Sequence, residues 1–367
     1  MTTAALGSVV EEIYDRSKEI QDFDDSKLGV KGLLDSGITS IPQFFVHPPE
    51  SLPCNTTTSS LLIPSYEIPT VDLYPINTHR SLIVDQIKEA SCTWGFFRVI
   101  NHDVPLDVLN RAILSVKAFN EQPNDVKANY YCRENDRGMT FASNFDLFQP
   151  KAAGWKDTLK MGMDRLDSSK VPEILRSELF ELDRHITRLG ETIMEILCEG
   201  LGLERERLKN MTCFGGRRLA GHYYPYCPDP NRTLGANCHT DLSVFTVLLQ
   251  DQIGGLQVKH GEDWVDVKPL DGALVINIGD ILQIMSNDKY RSVEHRVLAN
   301  SRREPRISIA IFFKPSHKEI LYGPLPELIT HPQKPALYKK FKLEELMMKF
   351  RLKRLDGKSS LVDYFLL

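Results

Sequence analysis

The sequence predicts a mixed α and β fold with a double-stranded β-helix (jelly-roll) core, a helical N-terminal region and a C-terminal helix. The core is indicated by residues 218–314, where short apolar or alternating runs are separated by Gly, Pro and Asp turns at regular intervals. Upstream, strand and helix patterns alternate, and residues 172–200 keep apolar side chains at helical spacing. Many short antiparallel strands favour a jelly roll, and the interior of such a barrel can hold a ligand.

The first 65 residues are predicted to form an extension and a linker. Residues 8–23 have the pattern of a helix, and residues 24–37 that of a second, shorter helix that ends at its glycine. Five prolines between positions 42 and 64, together with the polar run 55–60, indicate an extended linker. We therefore expect this region to be an appendage of the folded core.

The next segment is predicted to alternate between strands and helices. The pattern of apolar residues gives four strands, at 68–73, 95–100, 139–148 and 155–161. It gives three helices, at 78–91, 106–120 and 172–200. The strands at 139–148 and 155–161 are expected to cap one sheet.

The C-terminal half is predicted to be β-rich and to end in a helix. Seven strands are expected, at 219–224, 242–249, 256–260, 264–268, 273–278, 290–298 and 306–313. A helix at 337–352 is expected to pack over the barrel through Leu343, Leu346, Met347 and Phe350. Its basic residues would then face solvent, because the chain as a whole is slightly acidic.

A candidate metal site lies at the head of the run 242–249. Alternate residues of a strand share one face, so His239 and Asp241 are expected to project together from one strand. His295 follows 54 residues after Asp241, in a second predicted strand that could return alongside the first. A His-x-Asp pair alone is weak evidence, but two histidines and one carboxylate form the facial triad of non-haem Fe(II) oxygenases. A hydrolytic zinc site would use the same donors.

A candidate carboxylate anchor follows 11 residues beyond His295. In the strand 306–313, Arg306, Ser308, Ala310 and Phe312 are expected to share one face. A buried guanidinium beside a hydroxyl can hold a carboxylate through two hydrogen bonds. An iron with three open positions next to such an anchor describes a site for a 2-oxo dicarboxylic acid, whereas a zinc site would give the anchor no purpose.

The order His239, Asp241, His295, Arg306, Ser308 resembles the signature of plant-type Fe(II)/2-oxoglutarate-dependent dioxygenases. Residues 94–102 (Trp-Gly-Phe-Phe-Arg-Val-Ile-Asn-His) and 222–230 (His-Tyr-Tyr-Pro-Tyr-Cys-Pro-Asp-Pro) resemble further family segments, so the likeness runs from about 68 to 316. Two positions depart from the family pattern, since His222 stands where Asn is usual and Asp103 where Gly is usual.

The N-terminal extension narrows the resemblance to one branch. Residues 29–38 (Gly-Val-Lys-Gly-Leu-Leu-Asp-Ser-Gly-Ile) and 47–49 (His-Pro-Pro) resemble the ACC-oxidase homologues, the branch that holds desacetoxyvindoline 4-hydroxylase and related hydroxylases of specialised metabolism. The resemblance implies four regions. They are an extension and linker at 1–65, an α/β N-terminal dioxygenase region at 66–210, a jelly-roll catalytic domain at 211–316, and a C-terminal helical segment at 317–367.

The resemblance also implies the cofactors and the roles of residues. It implies Fe(II) held by His239, Asp241 and His295, 2-oxoglutarate as cosubstrate, O2, and ascorbate as a stimulating reductant. Residues expected to contact the cosubstrate are Arg306 and Ser308 at its distal carboxylate, Tyr224 through its hydroxyl, and His222. Residues expected to line the substrate pocket are Phe312, Phe245, Phe141, Thr158 and Lys160.

The function implied is hydroxylation of a small, largely apolar specialised metabolite of alkaloid, terpenoid, steroid or phenolic type, with succinate and CO2 as coproducts. Desaturation or O-demethylation needs only a different hydrogen near the same iron. An ACC-oxidase-like reaction uses ascorbate without 2-oxoglutarate, and the N-terminal extension and His222 speak against it. A non-catalytic ligand receptor would share the fold, but all three triad residues are present.

Composition excludes several other classes of protein. A net charge of −4 over 367 residues provides no basic field for nucleic acid. No apolar run reaches the roughly 18 residues of a membrane-spanning helix, and the N-terminus lacks the features of a signal peptide. Seven scattered cysteines without a Cys-x-x-Cys pair suit reduced thiols. We therefore expect a cytoplasmic monomer that acts on a small molecule.

Overall fold

The computed structural model describes residues 14–53, 66–134, 138–149, 151–330, 332–356 and 361–367. Within these ranges the chain forms one eight-stranded and one four-stranded β-sheet. The strands are β1 (Thr70–Asp72), β2 (Phe96–Ile100), β3 (Thr140–Ser143), β4 (Asp157–Gly162), β5 (Gly216–Tyr224), β6 (Leu234–His239), β7 (Phe245–Gln250), β8 (Leu256–His260), β9 (Asp263–Asp266), β10 (Leu274–Ile278), β11 (His295–Leu298) and β12 (Arg306–Lys314).

The helices of the described ranges lie before, between and after these strands. They are α1 (Arg16–Ser26), α2 (Gly29–Asp35), α3 (Arg80–Thr93), α4 (Leu106–Asn120), α5 (Asn124–Ala128), α6 (Glu173–Leu201), α7 (Arg207–Asn210), α8 (Asp280–Met285) and α9 (Leu343–Asp356). None of the described helices combines the length and the hydropathy that crossing a bilayer requires.

The two sheets form the jelly roll that the sequence predicts. The large sheet has the order β1-β2-β10-β7-β12-β5-β4-β3, and the small sheet has the order β6-β11-β8-β9. From β5 onward the chain passes repeatedly from one sheet to the other, so that β12 pairs with β5 and β7 while β11 pairs with β6 and β8. The expected fold class is therefore confirmed, and the two sheets face each other across a shared interior.

Helices cover the outer face of the large sheet. The longest, α6, places one apolar stripe inward, and its buried residues include Leu175, Leu179, Leu182, Ile186, Leu189 and Ile193. The same core contains side chains of α3 and α4 and of alternate residues of the sheet strands. A smaller apolar cluster fills part of the space between the two sheets, and it includes Phe96, Tyr224, Val258 and Val297. The large sheet therefore has one face covered by helices and one face turned toward the interior.

The sequence predicts that His239 and Asp241 lie at the start of the strand 242–249, and this placement is wrong. His239 is the last residue of β6 in the small sheet, whereas β7 begins at Phe245 in the large sheet. Asp241 lies in the connection between them, which turns where the Ser243 N–H donates to the Asp241 carbonyl at 3.0 Å. Periodicity along one segment does not reveal that the chain changes sheets, and β6 itself was not predicted.

Other boundaries differ from the predictions at strand ends. β3 ends at Ser143, because the residues that follow form a turn, and β11 begins only at His295. The short helix α8 was not predicted. The helix predicted at 8–23 lies partly outside the described residues, and α1 extends from Arg16 to Ser26. The C-terminal helix α9 begins at Leu343, later than predicted.

The N-terminal extension is fixed to the large sheet by a buried carboxylate. Asp157 at the start of β4 accepts hydrogen bonds from the backbone N–H groups of Val30 and Lys31, at 2.8 and 2.9 Å, and from the Ser143 hydroxyl. Gly29 approaches this carboxylate with a φ of +69°, and a Cβ there would lie 2.8 Å from an Asp157 oxygen. A carboxylate at the N-terminus of α2 also interacts favourably with the helix dipole.

The Asp157→Ala variant is expected to lower the free energy of unfolding by about 3 kcal/mol, because two backbone N–H groups and a hydroxyl lose a charged acceptor. Urea unfolding would measure this loss, and limited proteolysis would report release of the extension. Asp35→Ala is the control, since its carboxylate pairs with Lys31 on the surface and is 49% exposed; we expect a change under about 1 kcal/mol. Equal effects of both substitutions would contradict the assigned role of Asp157.

Candidate active site

Three side chains that can ligate a metal meet between the two sheets. His239 ends β6, His295 begins β11 directly opposite it, and Asp241 follows in the connection to β7. One ligand atom from each lies within 4.8 Å of the other two. Asp241 Oδ1 is 3.8 Å from His239 Nε2 and 3.7 Å from His295 Nε2. The structure therefore brings together the three residues proposed from the sequence, on one side of a single position.

Backbone carbonyls orient both imidazoles. His239 Nδ1 lies 2.7 Å from the Asn237 carbonyl oxygen, and His295 Nδ1 lies 3.2 Å from that of Val293. A carbonyl can only accept, so each Nδ1 carries the proton and each Nε2 keeps its lone pair. Such contacts fix the tautomer of metal-binding histidines. Both Nε2 atoms are thus prepared to bind a cation.

Two side chains of the large sheet hold the Asp241 carboxylate. Oδ2 accepts hydrogen bonds from Thr246 Oγ1 at 2.6 Å and from Asn277 Nδ2 at 2.9 Å, which leaves Oδ1 toward the histidines. Thr246 and Asn277 are cross-strand neighbours on β7 and β10. The Asp280 N–H donates to the Asp241 carbonyl at 2.9 Å. The carboxylate is therefore presented with one oxygen engaged and one oxygen free.

The Asp241 loop packs very closely against the start of α8. A Cβ built on Gly279 would lie 2.1 Å from the Ser243 carbonyl oxygen, so only glycine fits at this position. The adjacent Gly279 N–H donates to the Val244 carbonyl at 3.0 Å. The backbone of α8 thereby fixes the connection that carries Asp241.

The electrostatics of the cluster suit a metal. Burial lowers the pKa of His239 well below its usual range, and the neighbouring His295 lowers it further. Burial alone would raise the pKa of Asp241, but the two imidazoles and the hydrogen bonds from Thr246 and Asn277 hold it below its usual value. Neutral imidazoles and an ionised carboxylate are the forms that bind a divalent cation.

The cluster borders an internal chamber. The His239 side chain is 44% accessible to water, although the surrounding protein desolvates it strongly enough to depress its pKa. Together these observations indicate that the accessible face of the imidazole borders a recess between the two sheets. His222, on the facing sheet, is also partly accessible, and burial likewise lowers its pKa well below the usual value. We call this space the chamber.

A buried guanidinium without a counter-ion lies on the chamber face of the large sheet. Arg306 is 1% exposed, and it donates from one Nη to Ser308 Oγ at 3.1 Å and from the other to Gln250 Oε1 at 3.0 Å. Its Nε has no hydrogen-bond partner, and among the described residues no carboxylate lies within 4 Å of it. The Tyr224 ring centroid is 4.9 Å from Arg306 Cζ. This orphaned donor fits the carboxylate of a bound 2-oxo dicarboxylic acid.

The register of the large sheet places other residues that are expected to contact the cosubstrate or the substrate on the same face as this anchor. Ser308 lies opposite His222 on β5, which in turn lies opposite Thr158 on β4. His222 Nδ1 is 3.0 Å from Thr158 Oγ1. Lys160 and Phe312 occupy the same face two and four residues along their strands. These side chains therefore lie on the face of the large sheet that is turned toward the chamber.

Phe141 and Phe245 do not face the chamber, and their expected place in the substrate pocket is wrong. Phe245 is fully buried and stacks on Phe313 with ring centroids 4.5 Å apart, in the core beneath the helices. Phe141 packs edge to face on Phe119 of α4, with ring centroids 5.2 Å apart. On β7, Thr246 faces the Asp241 carboxylate, so its neighbour Phe245 points to the opposite, helix-covered face of the sheet.

Four residues that support the site were not identified from the sequence, namely Thr246, Asn277, Gln250 and Asn237. Thr246 and Asn277 are buried polar residues that interrupt apolar strands in the middle of the large sheet, and Gln250 is a buried polar residue at the end of one of them. A polar residue at such a position requires a buried partner, and that is the signal which could have pointed to them. Asn237 supports His239 through its carbonyl, which no sequence pattern encodes.

Two sequence families match this chain. Residues 216–315 match the 2OG-Fe(II) oxygenase superfamily, and residues 68–179 match the family described as non-haem dioxygenase in morphine synthesis N-terminal. Among curated relatives, 1-aminocyclopropane-1-carboxylate oxidase homolog 3 of Arabidopsis thaliana is 41% identical, over 97% of this chain and 98% of that protein. A homolog from Solanum lycopersicum is 42% identical, over 97% of this chain and 98% of that protein.

Solved structures share the architecture. JOX2 in complex with 2OG, Fe and JA superposes with a TM-score of 0.80 at 29% identity, covering 92% of this chain and 97% of that chain. The dioxygenase for auxin oxidation in rice has a TM-score of 0.69 at 24% identity, covering 82% of this chain and 100% of that chain, which shows a common fold.

The Asn277→Ala and Thr246→Val variants are each expected to weaken Fe(II) binding by about tenfold to hundredfold, because Asp241 loses a hydrogen bond that orients its carboxylate. Competition with a chromophoric chelator under nitrogen would measure the affinity. Thr192→Val is the matched control, because this partly exposed hydroxyl on α6 bonds only within its own helix, and it should leave the Fe(II) affinity unchanged. Wild-type affinity in both site variants would show that the two hydrogen bonds do not position the ligand.

Proposed function

The chain belongs to the 2OG-Fe(II) oxygenase superfamily, and from that premise we propose that it hydroxylates a small, largely apolar specialised metabolite. As a dioxygenase it uses iron and 2-oxoglutarate. In the proposed reaction, one oxygen atom of O2 enters a C–H bond of the substrate as a hydroxyl group. The other enters succinate, formed as 2-oxoglutarate loses CO2. The observation that carries the proposal is the His239, Asp241 and His295 cluster, together with a buried Arg306 guanidinium that has no carboxylate partner among the described residues.

We assign the iron to the cluster. His239 and His295 would bind through Nε2 and Asp241 through Oδ1, since their other polar atoms are already engaged. When bound, the iron supplies the oxidising chemistry that couples loss of CO2 from 2-oxoglutarate to cleavage of a substrate C–H bond. The role of the protein is to keep the three ligand atoms on one side, so that the opposite side stays open to the reactants.

We assign the distal carboxylate of 2-oxoglutarate to Arg306 and Ser308. Arg306 and Ser308 lie on the face of β12 that is turned toward the chamber, the buried Arg306 Nε has no partner, and Gln250 accepts a hydrogen bond from the guanidinium. Tyr224 packs against the guanidinium and limits its movement. His222 is the neighbouring polar group, and its neutral imidazole would contribute a single N–H to the cosubstrate or to Thr158.

The prime substrate is assigned to the part of the chamber beyond Ser308. Phe312 is partly accessible there, and its ring offers an apolar surface, with Thr158 and Lys160 on the neighbouring strand β4. The apolar core between the large sheet and its helices excludes bulk water from this side of the chamber. JOX2, which is 29% identical, was crystallised with JA, 2OG and Fe, which supports a small organic molecule as the substrate.

The first test is succinate formation from 2-oxoglutarate by the purified protein with Fe(II), ascorbate and O2, in the presence of a mixed extract of small plant metabolites. His239→Ala should abolish extract-stimulated succinate release, because one of three metal ligands is lost. Arg306→Ala should raise the KM for 2-oxoglutarate by about hundredfold, because a buried charged donor is removed. Mass spectrometry of the consumed metabolite should show a gain of one oxygen atom, which distinguishes hydroxylation from desaturation or demethylation.

Arg302→Ala is the matched control for this test, since its side chain is exposed in the turn before β12. It should retain wild-type turnover and wild-type KM. Absence of succinate together with undetectable binding of Fe(II) and 2-oxoglutarate would overturn the proposal and would favour a receptor.

A further inference from the structure

A second cationic side chain faces the chamber at the opposite end of β12 from Arg306. Residues 306, 308, 310, 312 and 314 of this strand alternate onto one face, so Lys314 projects beside Phe312. The distance from Lys314 Nζ to the centroid of the Phe312 ring is 5.6 Å. Lys314 is partly accessible to water, like the other side chains that line the chamber.

Lys314 has no anionic partner. Among the described residues, no carboxylate lies within 4 Å of its ammonium group and no hydrogen bond is formed by it. Burial, together with repulsion from the Arg218 guanidinium, lowers its pKa to about 8 against the attraction of Asp241. A desolvated ammonium without a counter-ion is unfavourable, and binding of an anion would relieve that cost.

Arg218 adds a second positive charge at the rim of the chamber. It lies on β5 directly opposite Phe312, and its guanidinium forms no ion pair with any described residue. Its neighbour on the other side is Gly162 of β4, where an added Cβ would meet nothing nearer than Asp164 Oδ1 at 3.9 Å. Asp164 pairs instead with Arg165 at 3.5 Å. The space beside the two cations is therefore open to a ligand.

This pair of cations is separate from the cosubstrate anchor. Arg306 and Lys314 are eight residues apart on an extended strand, which separates their Cα atoms by roughly 26 Å. Thr246, which donates to Asp241, lies opposite Phe312. Phe312 is six residues from Arg306 and two residues from Lys314 along β12, so the Asp241 carboxylate lies between the two cations. A molecule of 2-oxoglutarate held at Arg306 is too short to reach Lys314, so Lys314 and Arg218 remain available to the other reactant.

We propose that Lys314 and Arg218 bind a carboxylate group of the prime substrate, while its apolar part lies on the Phe312 ring. The inference rests on the proposed function and narrows its substrate class to organic acids. An ammonium in a poorly hydrated place binds a carboxylate strongly, and the guanidinium at the rim contributes charge during entry. The substrate would then be oriented by its acid group, with the carbon to be oxidised presented to the iron.

Binding of two matched probes tests the anion site without turnover. The probes are 1-naphthaleneacetate and the uncharged 1-naphthaleneacetamide, which differ in one group and whose fluorescence reports binding. With protein loaded with Fe(II) and 2-oxoglutarate under nitrogen, we expect the carboxylate to bind at least about tenfold more tightly than the amide. Lys314→Met should remove this preference and leave affinity for the amide unchanged, whereas Lys314→Arg should preserve it.

Arg218→Gln should reduce the same preference by a smaller factor, because this side chain is exposed. Lys170→Met, which removes an exposed lysine from the turn before α6, should have no effect. The visible absorbance of the Fe(II) complex with 2-oxoglutarate should be the same in Lys314→Met as in the wild type, which separates anion binding from damage to the metal site. Equal affinity for the two probes in the wild-type protein, or binding of neither, overturns the proposal.

Succinate release with a fractionated extract separates this inference from the proposed function. If both hold, the fraction retained on an anion exchanger stimulates turnover, and Lys314→Met raises the KM for that fraction more than it lowers kcat. Stimulation by the neutral fraction alone would overturn the anion site and leave the oxygenase intact. Preferential carboxylate binding without turnover in any fraction would support the anion site and count against the proposed hydroxylase.

Discussion

The site depends on one crossing of the chain between the two sheets. Between His239 and Phe245 the backbone leaves the small sheet and enters the large one, and Asp241 lies at the turn. Thr246 and Asn277 hold its carboxylate from the large sheet, while His295 is paired with His239 in the small sheet. The three ligand atoms converge because the sheets are packed at a fixed separation. Any relative movement of the sheets would therefore change the geometry of the cluster.

The chamber has one carboxylate near its centre and a cationic side chain at each end of β12. Asp241 is the carboxylate of the ligand cluster, and Arg306 and Lys314 lie on opposite sides of it along β12. The Arg306 guanidinium donates hydrogen bonds to two neutral side chains, Ser308 and Gln250, which orient it without neutralising its charge. A positive charge retained in this way is available to an anionic ligand. The same reasoning applies to Lys314, whose neighbours are an aromatic ring and a second cation.

The N-terminal extension is part of the support of the site. Its residues Phe44 and Phe45 pack in one apolar cluster with Trp155, just before β4. His47 Nε2 lies 2.7 Å from Asn237 Oδ1, and the Asn237 carbonyl accepts the hydrogen bond from His239 Nδ1. Asp157 fixes the start of α2 to the same edge of the sheet. The extension therefore contacts the ligand His239 indirectly, through Asn237. The sequence alone predicts that this extension is only an appendage of the folded core.

The sequence alone determined the fold class, the family resemblance, most helices, and the face shared by Arg306, Ser308 and Phe312, because these follow from residue order and from periodicity within one element. Only the tertiary structure decided which sheet each strand joins and which face of it the helices cover. For that reason Phe245 and Phe141 were placed in the pocket although they lie in the helix-covered core. Asn277, Gln250 and Lys314 acquire their roles from cross-strand neighbours distant in sequence, and such neighbours are fixed by strand pairing rather than by local pattern.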